Sequence, residues 1–455
     1  MSDMPLTRLS VLYKAWPLIF ANATVPLAGV ADTFVLGLSG DKADLGGVAL
    51  GGALLSVFYW SFYFLRMGTT GLTAQADGAG DIAEAQRTLL RATVIGAVLG
   101  LLILLIRDLI ALGGFAILQG TPEVETQGEA YMLARIWGLP AILAAFALSG
   151  WLIGLGRNTE TMVIYAVFSA VNIGLDFWFV LGFGMGPAGV GAATAIAEWA
   201  ALVFALALVW RTLRQQGGWA SNVLDRDRLL DLPALRQLFD VNFNLMIRTW
   251  TLVIGFTWFA NAGARQGTAA LAGNHVLLQI ITLWAFVLDA FAFVAETEAG
   301  RAYGRKSREA LRRAMRMTGE PMFAAGAVFA VLTLLFGDEA LSLVIQDEEA
   351  LAAAITYLPW CAVVPFLGAG AWLLDGVFIG TTSGKILRNA GVAAVLIYLI
   401  ADFFLAPAFA NHGVWAAFLI FYIARGACLG LAYPALERRL QPAPTASETD
   451  AKPSA

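Results

Sequence analysis

The chain has 455 residues, of which 59% are hydrophobic and only 14% charged, with a mean hydropathy of +0.72 and a formal net charge of -4. Soluble domains carry about 25% charged residues, so this composition belongs to a polytopic helical membrane protein and excludes a soluble globular domain. No basic patch with interleaved aromatics appears, which argues against nucleic acid as a partner. Cys361 and Cys428 lie in apolar runs and His275 and His412 stand alone, so neither a disulfide, a metal site nor a cofactor is expected beyond a coupling ion.

About twelve apolar runs reach the length of about 20 residues that a bilayer crossing needs. They cover approximately 15–38, 48–70, 90–113, 131–155, 161–183, 189–211, 242–263, 270–296, 318–337, 352–380, 388–408 and 412–434. Each is expected to be a helix, because lipid offers backbone groups no outside partner. The first run contains Pro17 and Pro26, hinge candidates where a helix can bend, and closes on Val30-Ala31-Asp32-Thr33-Phe34-Val35-Leu36-Gly37. A carboxylate at that depth costs at least about 2.5 kcal/mol, so Asp32 is expected to face a protein interior or a wet cavity. The second run carries Phe58, Tyr59, Trp60 and Arg66, and the fourth opens with Tyr131 and Arg135. The fifth places Asn172 and Asp176 four apart on one helix face, and the sixth holds Thr194 and Glu198.

A polar stretch at 211–240 then reads as a linker with one amphipathic helix around Leu229–Leu238 lying at the interface. The seventh run has Arg248 near its start and no acid. The eighth holds Asp289, with Glu296 and Glu298 near its end, where they face the basic cluster from Arg301 onward and are expected to be solvated interface pairs. The tenth contains Asp375 followed by Gly376 and Gly380, which allow a neighbouring helix to come close. Asp402 lies in the eleventh and Arg425 in the twelfth. The tail after Leu440 has a disordered composition.

Lysine and arginine gather at alternate ends of the runs. Lys14, Arg87, Arg91, Arg157, Arg211, Arg214, the cluster Arg301–Arg316, Lys385, Arg388 and Arg438 share one side, which predicts both termini in the cytoplasm. The halves also repeat at an offset near 225. Leu139-Pro140 followed by SGWLIGLG resembles Val364-Pro365 followed by LDGVFIGT; Asp176-Phe177-Trp178 resembles Asp402-Phe403-Phe404; the exit TAQADGAG resembles TEAGRAYG. Six helices per repeat preserve sidedness, so the expected layout is an amino-terminal lobe over 1–212, a linker over 213–240, a carboxy-terminal lobe over 241–440 and a tail over 441–455, with substrate between the lobes.

Pro17, Pro26 and Asp32-Thr33 with Gly37, the exit Thr73-Ala74-Gln75-Ala76 with Gly78-Ala79-Gly80-Asp81, Asn172 with Asp176, and Leu374-Asp375-Gly376-Val377-Phe378-Ile379-Gly380 resemble the multidrug and toxic compound extrusion (MATE) family, in its bacterial DinF-like branch. The resemblance runs from about Pro5 to Pro434. It implies an all-α membrane protein with two pseudo-symmetric six-helix bundles meeting in a V. It also implies export of organic, often cationic compounds driven by inward proton or sodium flow, with the residues matching Asp32, Asn172 and Asp176 as the cation-coupling site. Tyr131 and Thr194 follow as further ligands of that lobe. Other branches pair the carboxy-terminal acid with a seventh-span glutamate, which is missing here.

Two acids in one low-dielectric pocket cannot both stay ionised cheaply, so the Asp32 and Asp176 pair is expected to take up a proton. Asp375 reads either as a second coupling acid or as a structural bridge to Arg248, and Asp289 as a cavity acid that would attract a cation. There is no nucleophile elbow, no phosphate-binding glycine loop with a lysine and no HExxH pair, which disfavours an enzyme. The leading expectation is a proton-coupled antiporter of the bacterial inner membrane exporting cationic or amphiphilic organic molecules as a monomer surrounded by lipid. The alternatives are a sodium-coupled exporter, a flippase for a lipid-linked precursor and, from another class, an intramembrane enzyme.

Overall fold

A computed structural model of the chain describes residues 6–39 and 42–440; the tail expected to be disordered lies outside them. All regular structure among the described residues is helical. The amino-terminal half comprises α1 (Arg8–Ser39), α2 (Lys42–Phe62) continuing as α3 (Phe64–Ala79), α4 (Ile82–Leu105) with α5 (Arg107–Ile117), α6 (Pro122–Arg135) continuing through a 3-10 turn into α7 (Leu139–Gly154), α8 (Asn158–Asp176) and α9 (Gly186–Gln215). A short α10 (Arg226–Leu229) leads to α11 (Leu232–Ala264), α12 (Thr268–Gly304), α13 (Arg308–Val344), α14 (Glu348–Gly380) and α15 (Gly384–Arg438).

Ten of these helical segments are long and apolar enough to cross a membrane. The 55-residue α15 is broken at Ala410, where φ is 50° and ψ is -135°, and so makes two crossings. α11 falls outside the ten because Asn242, Asn244 and Arg248 lower its hydropathy, yet its 33 residues pack along α15 and α3. The traverses therefore number the twelve expected. Helix starts are fixed by side-chain caps: Asp81 accepts from the Glu84 amide (2.8 Å), Ser307 from Ala310 (3.2 Å) and Asp347 from Ala350 (2.8 Å).

The linker differs from the sequence reading. No interfacial helix spans Leu229–Leu238. Asp231 caps the Ala234 amide at 3.1 Å, Pro233 sits in the first turn, and the same helix runs on to Ala264. The polar segment is the first turns of α11, and Leu238 is buried because that end already packs on its neighbours.

Helices α1 to α9 pack mainly among themselves, as do α11 to α15, and the two bundles meet along α3 and α12. These two helices are equivalent in the repeat. Asp77 and Arg301 occupy matching positions, 224 apart, and bind each other across the pseudo-two-fold axis at 2.7 Å. Further ties between the bundles lie toward the same arginine-rich end, and Asn22 donates to the Phe286 carbonyl at 2.9 Å nearer mid-helix. Lys14 reaches Glu298 at 2.7 Å, Gln75 donates to the Gly380 carbonyl at 2.9 Å and to Thr382 at 3.0 Å, and Thr297 donates to the Ile153 carbonyl at 2.9 Å.

Candidate functional site

The contact between α1 and α8 sets Asp32 opposite Asn172 and Asp176. Asp32 is 9% exposed and Asp176 is fully enclosed. Asp176 ends α8 where the backbone widens into a π-helical turn over Phe177–Gly182, a geometry frequent at functional sites. Asp32 Oδ1, both carboxylate oxygens of Asp176 and Asn172 Oδ1 are buried and receive no donor from the protein. Buried oxygens of this kind are rare in folded chains and call for a proton, an ion or water. Asn172 Nδ2 donates to Thr194 Oγ1 at 3.2 Å, and Thr194 donates to the Val190 carbonyl at 3.0 Å.

α6 completes the pocket. Tyr131 is buried, and its hydroxyl accepts from Arg135. The Arg135 guanidinium lies 4.9 Å from the centre of the Tyr59 ring, and Tyr59 donates to Glu198. Three carboxylates, Asp32, Asp176 and Glu198, thus share the field of one guanidinium. The surplus of negative charge favours uptake of cations, protons included. Sequence reasoning left Arg135 and Glu198 without a role. Each is four residues beyond a chosen ligand, Tyr131 or Thr194, and so lies on the same helix face, which was the available signal. Pro17 and Pro26 both lie inside α1, which stays helical through them.

The carboxy-terminal half is built differently. Asp375 on α14 accepts from Arg248 on α11 and from Arg425 on the second part of α15, so the bridge to Arg248 is present and has a second arm. Asp289, half-buried on α12, lies among Arg248, Arg66 and Arg425 and beside Trp372. Asp402, the repeat equivalent of Asp176, accepts at Oδ2 from Trp258 Nε1 at 2.9 Å and from Arg265 at 3.1 Å, while its Oδ1 is buried without a donor.

Glu296 is not a solvated interface acid. It is fully enclosed and pairs with Arg66 at 3.3 Å, across the two bundles. Two residues before Glu298, it lies on the face of α12 that turns toward α3 and Arg66. Only Glu298 behaves as expected, bound to Lys14 and to Arg301 (3.3 Å). Of the aromatic residues of the second run, Tyr59 is bonded to Glu198 and Trp60 is 58% exposed. Trp284 stacks on Phe329 with centroids 4.1 Å apart.

The MatE family model matches the chain twice, over residues 17–178 and again over 246–404, one match per half. The chain belongs to the MATE family. It is 34% identical to the DNA damage-inducible protein F of Escherichia coli (strain K12) over 425 residues, covering 92% of this chain and 90% of that one. It is 27% identical to a probable multidrug resistance protein NorM of Bradyrhizobium diazoefficiens, covering 90% and 89% of the two chains. Among solved structures, the Vibrio cholerae MATE transporter VcmN in its bent form superposes with a TM-score of 0.86 at 19% identity, covering 95% of this chain and 97% of that one. This MATE protein is therefore a multi-pass membrane transporter of a multidrug efflux family, not an enzyme, and the unpartnered carboxylates of its amino-terminal bundle sit in a transport scaffold.

Proposed function

We propose that this MATE transporter is a secondary antiporter that exports small organic compounds in exchange for protons, in the bacterial inner membrane with both termini in the cytoplasm. The observation that carries the reading is the facing pair Asp32 and Asp176, whose buried oxygens lack donors. Binding a proton between them supplies a shared donor and removes one of two like charges. The equivalent acid of the other half, Asp402, receives Trp258 and Arg265 at one oxygen, whereas Asp176 receives a protein donor at neither, which supports coupling in the amino-terminal bundle. Asp375 is engaged by two arginines, in contrast to the donor-free Asp176. The multidrug resistance proteins among its relatives support organic cargo.

The test uses purified protein in sealed liposomes with a fluorescent dye and a proton gradient or a sodium gradient imposed separately. Transport driven by protons alone and abolished by Asp32→Asn supports the proposal. Transport driven by sodium, or unaffected by Asp32→Asn, overturns it.

A further inference from the structure

The arginines in the carboxy-terminal half outnumber their fixed acceptors. Arg248 is 8% and Arg425 5% exposed, and they arrive from different helices at the same oxygen, Asp375 Oδ2. Each guanidinium offers five N–H donors, and only one from each has a protein acceptor among the described residues. Arg248 Nε is buried with no acceptor at all. Arg66 completes a third positive face, but it is committed to Glu296 and to the Phe293 ring 4.1 Å away. Beside this cluster Trp372 stacks on Tyr422, centroids 5.0 Å apart, and Asp289 and Glu296 both lie within the field of Arg248.

Two guanidinium groups converging on one carboxylate oxygen reproduce the way proteins hold a carboxylate ligand. The single oxygen of Asp375 takes one donor from each guanidinium, and the buried Arg248 Nε is left without an acceptor. We infer that Arg248 and Arg425 form a binding site for the carboxylate of an amphiphilic organic acid, whose aromatic or apolar body lies against Trp372 and Tyr422, and that Asp375 is the built-in counter-ion it displaces. The bridge is otherwise a plain structural pin between α11, α14 and α15, and the two readings differ in what happens when Asp375 is removed. A pin loses its anchor. A ligand site loses its competitor.

The inference rests on the transporter reading but is tested by equilibrium binding in detergent, where no gradient is needed. Failure of binding and failure of proton coupling are therefore separate results. The probe is pyrenebutyrate, compared with its uncharged methyl ester, on the full chain followed by intrinsic fluorescence. Pyrenebutyrate is expected to bind the unaltered protein at least about tenfold more tightly than the ester. Asp375→Asn is expected to tighten that binding about tenfold, and Arg425→Gln to weaken it by a similar factor, with Arg425→Lys in between because a lone ammonium keeps charge but not the planar fork. Equal binding of acid and ester to the unaltered protein overturns the proposal without any variant. So does an Asp375→Asn protein that melts as the unaltered one does yet binds the acid no better.

Discussion

Arg66 and Glu296 allow a sharp test of how the two bundles are held. The pair spans α3 and α12, is 3.3 Å apart and is 1% and 0% exposed. At an effective dielectric constant near 20, unit charges at that distance attract by about 5 kcal/mol. Desolvation of both groups offsets most of this, so the net worth of the pair is small while the cost of orphaning one partner is about 3–5 kcal/mol. Arg66→Met leaves the Glu296 carboxylate enclosed, with Oε1 already lacking a donor. It should lower stability by about that amount, while Arg66→Met with Glu296→Leu should recover to within about 1 kcal/mol of the parent. Tryptophan fluorescence during thermal unfolding in one detergent, for the parent, both single variants and the double variant, measures the cycle. A single Arg66→Met variant that melts with the parent, or a double variant worse than the sum of the singles, would refute the account.

Three further outcomes are expected. Asp176→Asn should reduce proton-driven dye export in liposomes at least about tenfold while leaving the melting temperature near the parent's, because its oxygens support no protein donor. Gly380→Ala should yield little folded protein by size-exclusion chromatography, since the added methyl group would collide with the Glu296 backbone carbonyl where α14 crosses α12, an overpacking of at least about 1–3 kcal/mol. Asn274→Ala should cost about 2–4 kcal/mol in a thermal melt, because Asn411 (2.8 and 3.0 Å) and Trp415 (2.9 Å) both lose their partner in a buried cluster.

The twelve crossings were readable because lipid forces a helix wherever an apolar run is long enough, and α11 was found from length even though its polar residues dilute it. Asp32, Asn172 and Asp176 were readable as neighbours because an acid inside an apolar run has few places to go and a spacing of four fixes a face. Glu296 was misread for the reason that a position along a helix says nothing about its azimuth. Two residues on, Glu298 meets the basic end, while Glu296 turns toward an arginine 230 positions away. Arg425 was unassigned on the same ground, since its partner Asp375 lies on a separate helix. The helix read around Leu229–Leu238 was taken as separate because the stretch is polar, whereas a cap at Asp231 and a proline in the first turn start one helix there that runs on as α11.

One helix joins the two places where this molecule keeps its charges in tension. α1 carries Asp32 near the pocket and, eighteen residues earlier, Lys14 in the contact between bundles, a separation of about 27 Å along the axis. Both prolines fall between them, and each removes one rung of the backbone ladder. The segment is then less a rod than a spring with two soft coils, and a displacement at its carboxylate end is shared out along the coils before it reaches the lysine that pins the far bundle.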